Sequence, residues 1–381
     1  MSFDPGELKA RASEATGLSD FGAEPFEDGL EVLCASLDRE AGLNEKGRAS
    51  AQAAIVATLS ERLRVEDWVR RAPEILDEVL VPQVFVVGLP RTGTTALSQF
   101  MSQDPNARSI RRWELNSLTP PPDAAVALDP RLTATRAAFA ARNAALPALR
   151  TMLPVEAEDP SEHGQLLGLT FRSLHNPTLH NVPTYTDWLL KADLRPAYRY
   201  LAKVLKLLQW KTPGRWWNLK NPPDVFALDA IAEVFPYAAF VWTHRDPANS
   251  IPSVSSLAAL LRGQGLDHVD KPALMQQMLR FQGEGVRRGL AARERLGGRV
   301  IADFHQAEMA RDPIGTIRAL YERLALPFTA SFEAHIRDRL ENRPRAQHGR
   351  HEYDPAEYGA SPEEIRGHFA EYLTRYPVAL G

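Results

Sequence analysis

The stretch Val84–Met101, VFVVGLPRTGTTALSQFM, decides the fold. Four consecutive apolar residues, Val84–Val87, suit a strand buried on both faces. A glycine-bearing turn follows, and then Leu97, Phe100 and Met101 fall on one face of a helical segment. Gly88 and Gly93 stand five apart, the spacing of a phosphate-binding loop, with Thr94 at the position of that loop's lysine and Thr95 next. Glycines let successive amide N–H groups converge on one anion at a helix N-terminus. Thr92, Thr94 and Thr95 add hydroxyls, and Arg91 adds a fixed positive charge with several donors. Absent is the lysine that reaches the β- and γ-phosphates of a triphosphate. The loop therefore reads as an anion site poorly equipped to cleave ATP.

Further strands follow at intervals. A short second one comes after DPNARSI, a third is WWNLK ending at Lys220, and the Pro222–Pro223 pair stops it. Ala238–Thr243 reads as a fourth, with Asp246 and Pro247 placed to start the next helix. GRVIADF supplies a fifth, and its Asp303 reads as a plain strand end. Strands alternating with helices predict an α/β protein of the P-loop type, three layers around a central parallel sheet of about five strands. Residues 1–80 are alanine-rich with helical spacing and read as an N-terminal cap, a candidate interface element for a homo-oligomer. Residues 81–381 form the α/β domain, interrupted by a helical insertion at about 123–212.

A net charge of −3 argues against a whole-chain basic field for nucleic acid. The single cysteine, Cys34, excludes an intramolecular disulfide and a thiolate metal cluster. His175 and His180 flank a loop without carboxylate or cysteine companions, so no metal site is read there. The first residues lack the pattern of a secretory signal, and no apolar run approaches the ~20 residues of a membrane span, so a cytoplasmic protein is expected.

GLPRTGTT resembles the first motif of the bacterial sulfotransferases that use 3′-phosphoadenosine 5′-phosphosulfate (PAPS). THRDPANSIPSVSSL is similar to that family's 3′-phosphate motif, where an arginine ends a strand and a serine follows eight residues later, here Arg245 and Ser253. RRWELNSLTPPP and WWNLKNPPD resemble two further segments, and the likeness runs roughly from Val84 to Leu326. It implies PAPS as donor, no required metal, a small-molecule acceptor bearing a hydroxyl or amine, and an insertion forming the acceptor pocket. Two anion sites, a P-loop and a separate Arg/Ser pair, are what a donor with a 5′-phosphosulfate and a 3′-phosphate requires. Arg91, Thr92, Gly93, Thr94, Thr95, Arg245 and Ser253 are thus the expected donor-binding residues.

For chemistry, Arg91 is placed to stabilise the bridging oxygen and the sulfuryl group. The resemblance implies Glu114 as general base and Lys220 as a contact to donor or transition state. Asp224 stands where the bacterial pattern usually has a histidine, which shifts weight to Glu114. Glu162 and His163 are the other candidate bases. Arg337, Arg339, Arg343, Arg345 and Arg350, with His348 and His351, form a basic segment of the kind that closes over the 3′-phosphate. Two rival functions remain at this stage, a P-loop kinase of small molecules and a nucleotide-binding protein without turnover.

Overall fold

Strand β1, Gln83–Gly88, is buried along its whole length and sits at the centre of the sheet. A computed structural model describes residues 2–147, 156–342 and 355–380. Strands β2 (Ala107–Arg108), β3 (Trp216–Lys220), β4 (Ala239–His244) and β5 (Ile301–His305) complete one parallel sheet of order β2-β3-β1-β4-β5. All five predicted strands are present, but the second lies inside DPNARSI rather than after it, and the others fall within a few residues of their expected limits. Alternation along β1 explains the layers. Phe85 and Val87 face one core with Trp217, Leu219 and Phe240, whereas Val84 and Val86 face a second core with Leu97, Phe100, Met101 and Phe304.

Because β3 and β4 flank β1 on opposite sides, the chain changes direction across the sheet at β1. The crevice at the carboxyl ends of strands around such a switch is where open α/β sheets bind ligands. Gly88 pairs with Thr243 and Val86 with Lys220, so the residues after β1, β3 and β4 emerge side by side.

Helices α1 (Pro5–Thr16), α2 (Glu27–Arg39) and α3 (Glu45–Arg71) precede β1. Asp4 caps α1 by accepting from the Glu7 N–H at 2.7 Å, and Asn44 caps α3 through the Gly47 N–H at 2.9 Å. Arg62 of α3 is fully buried and donates to the carbonyls of Phe21, Glu24 and Leu169 at 2.6, 2.6 and 2.9 Å. Its guanidinium also stacks over Phe26 and Tyr200, so one side chain ties the N-terminal helices to the insertion. The insertion between β2 and β3 carries helices at Arg112–Asn116, Pro130–Ala145 and Arg195–Gln209, with short helical turns between the last two.

No helix among the described residues is long and apolar enough to cross a membrane. Arg343, Arg345, Arg350, His348 and His351 lie outside the described residues.

Candidate active site

The loop after β1 is shaped by backbone that few residues tolerate. Gly88 has φ 139°, and a Cβ there would meet the Thr243 carbonyl oxygen at 2.7 Å. Gly93, at φ 94°, turns the chain into helix α4, Thr94–Met101, and no side chain caps that helix. The N–H groups of its first turn, which a helix cannot satisfy internally, are thus left for an anion. Arg91 itself takes φ 67°, a costly conformation for a residue with a Cβ. Arg245 supports it by donating from Nη1 to the Arg91 carbonyl at 3.0 Å.

Arg91, Arg245 and Ser253 come together at this edge. Arg91 Nε donates to Ser253 Oγ at 3.1 Å, which draws the loop arginine toward the pair expected to hold the second anion. Thr94 and Thr95 begin α4 and line the cavity described below. Thr92 is fully buried instead, its hydroxyl donating to the Leu89 carbonyl at 2.7 Å and facing Thr243 Oγ1 at 2.5 Å. Its side chain holds the loop's shape.

Lys220, at the end of β3, is buried beneath the cavity wall. Its Nζ donates to Glu162 Oε1 at 2.6 Å and to Thr95 Oγ1 at 3.3 Å. Burial pushes its ammonium downward in pKa, and the Glu162 charge opposes that shift. Glu162 Oε2 lies 3.2 Å from His175 Nε2, which also faces Asn221 Oδ1 at 2.8 Å. The buried surroundings disfavour ionised Glu162, yet Lys220 and His175 hold its carboxyl well below the usual range. His175 is pulled the other way: burial disfavours its cation, and Glu162 outweighs burial and raises its pKa. Two acceptors on Nε2 make it the protonated nitrogen, so Nδ1 is the basic one in the neutral ring. The sequence offered no companion for His175. Its partner Glu162 lies thirteen residues earlier and reaches it only because the 162–175 segment folds back on β3.

Two expected bases have other occupations. Glu114 forms a buried, two-pronged pair with Arg108, at 2.5 and 3.1 Å, and accepts from the Arg111 N–H at 2.6 Å, closing the first turn of Arg112–Asn116. It does not line the cavity. His163 is buried against Asp224, Nε2 to Oδ2 at 2.6 Å, and stands edge-on to Phe85. Asp224, in the histidine position of the resemblance, also accepts from Tyr198 at 2.8 Å and Asn221 at 2.5 Å. It is the centre of a buried polar network. Asp303 pairs with Arg293 and His244.

Arg91, Thr94, Thr95, Arg245, Glu162 and His175 border one cavity of about 1610 Å³. One end is lined by Arg91, Gly93, Thr94, Thr95 and Arg245, and Arg112, Glu162 and His175 follow. The lining also carries apolar side chains, Leu33 and Leu37 of α2, Ile55 of α3, Leu169 and Phe171 of the insertion, and Leu257, interspersed with polar ones such as Glu61, Gln165 and His180. A drug-sized ligand fills roughly 300–1,000 Å³, so this space accommodates two molecules. The involvement of α2 and α3 was not visible in the sequence, where those helices read as a remote cap.

A family model described as the sulfotransferase family matches residues 82–330. The curated omega-hydroxy-beta-dihydromenaquinone-9 sulfotransferase Stf3 of Mycobacterium bovis and that of Mycobacterium tuberculosis are each 28% identical over 162 residues. That match covers 42% of this chain and 40% of the relative, so it spans about two fifths of the curated proteins' length. Among solved structures, sulfotransferase STF9 from Mycobacterium avium superposes with TM-score 0.90 at 29% identity, covering 98% of this chain and 97% of that one. Sulfotransferase STF1 from Mycobacterium tuberculosis H37Rv gives 0.86 at 28% identity, with 96% and 98% covered.

Proposed function

The chain belongs to the sulfotransferase family, and from that premise we propose that it moves a sulfuryl group from PAPS to a hydroxyl, or an amine, of a largely apolar small molecule. The observation that carries this reading is the single cavity in which an anion loop, a second arginine, a carboxylate–histidine pair and an apolar wall meet. The residues fit the donor. The uncapped start of α4, with Thr94 and Thr95, offers converging N–H and O–H donors for the 5′-phosphosulfate, and Arg245 with the Arg91–Ser253 pair offers charge for the 3′-phosphate.

In the transfer, a new bond forms between the acceptor oxygen and sulfur while the bond from sulfur to the donor's bridging phosphate oxygen breaks. The bond's electron pair leaves with 3′,5′-bisphosphoadenosine. The acceptor proton needs a base, and His175 Nδ1 takes that role, with Glu162 and Asn221 holding the ring by Nε2. Lys220 acts through Glu162 and Thr95, keeping the carboxylate charged and the start of α4 fixed. The base thus moves from Glu114, which the resemblance implied, to the Glu162–His175 pair.

Residues 1–80 and the insertion at about 123–212 together wall the acceptor end. Leu33, Leu37, Ile55, Leu169 and Phe171 favour an acceptor with substantial apolar surface. The name of the mycobacterial relatives gives a hydroxylated menaquinone as theirs.

The test is the unfolding temperature with 3′,5′-bisphosphoadenosine against that with ATP, each with and without Mg²⁺. A specific ligand at a hundred times its dissociation constant adds about 2.7 kcal/mol. Stabilisation by the bisphosphate without metal is expected. Stabilisation by Mg·ATP alone would instead make the loop a triphosphate site and end this reading.

A further inference from the structure

Among the described residues, Arg112 lines the cavity with its guanidinium unpaired. Arg91 holds Ser253, Arg245 holds the Arg91 carbonyl, and Arg64 pairs with Glu61 at 3.2 Å. The Arg112 guanidinium, by contrast, makes no hydrogen bond or ion pair among the described residues, and its Nε is buried without a partner. Ser161 is in the same condition. It is 4% exposed, it lines the same cavity, and its hydroxyl meets no partner.

A buried donor left unpaired is costly, and a buried charge more so, unless a ligand completes it. The backbone shows that the pair is built. Ser161 N–H donates to the Ile110 carbonyl at 2.8 Å and Arg112 N–H to the Asp159 carbonyl at 3.2 Å, so two segments hold each other in register. Glu162, the next residue, bridges to Lys220 of β3. Arg112 and Ser161 therefore sit beside the carboxylate that orients His175, within electrostatic reach of both Glu162 and Lys220.

We propose that Arg112 and Ser161 hold the oxygens of the sulfuryl group, in the bound donor and through its transfer. This rests on the sulfotransfer reading above and adds to it the residues that receive the moving group. The two phosphates of the donor already have the start of α4, Arg91 and Arg245. Arg91 and the start of α4 reach the phosphosulfate from its phosphate side, and the sulfuryl needs donors at its outer face as well, because its negative charge is shared over its terminal oxygens throughout the step. A planar guanidinium with several donors matches that distribution better than a point charge. As the bond to the bridging oxygen breaks and the bond to the acceptor forms, the terminal oxygens stay with sulfur, so the same donors serve both ends of the step.

The experiment compares two ligands that differ by this group. Dissociation constants for PAPS and for 3′,5′-bisphosphoadenosine are measured by calorimetry on the full chain and on its Arg112→Ala, Arg112→Lys and Ser161→Ala variants. Arg112→Ala is expected to weaken PAPS roughly tenfold or more, the loss of a charged hydrogen bond, and to leave the bisphosphate unchanged. Ser161→Ala should act in the same direction with a smaller effect, and Arg112→Lys should recover part of the loss. Release of sulfate from PAPS with water as acceptor should fall in parallel. Equal weakening of both ligands would make Arg112 a phosphate contact, and no weakening of either would remove it from the donor site; both overturn the proposal. If the unmodified chain binds neither ligand, the sulfotransfer reading itself fails and this one with it. Unchanged unfolding temperatures of the unliganded variants separate lost contact from lost fold.

Discussion

Arg91 and Ser253 are 162 residues apart in the chain and 3.1 Å apart in the fold. That contact joins the loop after β1 to the helix Pro247–Arg262 after β4, the two elements expected to grip opposite ends of the donor. Arg245 closes the triangle through the Arg91 carbonyl. The two expected anion sites are therefore mechanically joined, and a change in either should be felt in both.

The first consequence concerns non-additivity. Ser253→Ala removes a contact of Arg91 as well as a hydroxyl, and Arg245→Ala removes a charge as well as the support of a strained residue. Each should weaken 3′,5′-bisphosphoadenosine by tenfold or more, and a double-mutant cycle between them should show a coupling of about 0.5–3 kcal/mol. Strict additivity in calorimetric titrations would show two independent sites.

The pH dependence follows from the Glu162–His175 pair. The base must be neutral, and Glu162 raises the pKa of His175 above its ordinary value. The rate of sulfate transfer should therefore climb as pH rises through a value above 6.5 and level off beyond it. Glu162→Gln removes the raising influence, so the climb should move to lower pH. His175→Ala should lower the plateau by about 100-fold or more. A climb that stays in place in Glu162→Gln would dissociate the carboxylate from the base.

Glu114 should behave differently from both. Its carboxylate neutralises buried Arg108 and caps a helix start, so Glu114→Ala leaves a buried guanidinium uncompensated. A loss of about 3–5 kcal/mol of folding stability is expected, read by chemical denaturation. Turnover per folded molecule should persist. Abolished turnover in a protein of normal stability would return the base to Glu114.

The sheet was legible in the sequence because its information is local. Apolar runs of strand length, glycines at a fixed interval and an Asp-Pro helix start each declare themselves within a few residues. The loop after β1 and the Arg245–Ser253 spacing stood out in the sequence for the same reason. Illegible was everything produced by distant segments closing on one another. Nothing in RRWEL shows that Arg108 turns back onto Glu114. His175 looked solitary because Glu162 reaches it across a fold of the insertion. The apolar character of α2 and α3 was visible, but which of those side chains would border a cavity depended on Arg62 docking them against the insertion.

That docking makes the cavity wall testable. Ala54 of α3 lines the cavity with its side chain in open space beside Ile55. Ala54→Trp should fill part of the acceptor end, raising KM for apolar hydroxylated acceptors while leaving the dissociation constant of 3′,5′-bisphosphoadenosine unchanged. Weakened bisphosphate binding would place this wall at the donor end.

A chain of buried polar groups supports the end of β4 that carries Arg245. Asp303 is held in its charged form by Arg293 and His244, so it accepts from His244 Nε2 at 3.0 Å. Burial keeps His244 neutral by lowering its pKa, which leaves Nδ1 to accept from the Tyr372 hydroxyl at 3.0 Å. The Tyr372 oxygen in turn takes the backbone N–H of Arg245. Nearby, Arg366 pairs at 2.8 Å with Asp246, the cap of the helix that carries Ser253. The C-terminal helices thus fix the end of β4. Tyr372→Phe keeps the ring against His244 and Tyr376 but strands two buried polar groups, at a cost of about 1–3 kcal/mol each. Beyond lower stability, it should weaken bisphosphate binding, because Arg245 loses the anchor of its backbone. Measured well below the variant's own unfolding temperature, unchanged bisphosphate affinity would mean that the C-terminal helices stabilise the fold without positioning the donor site.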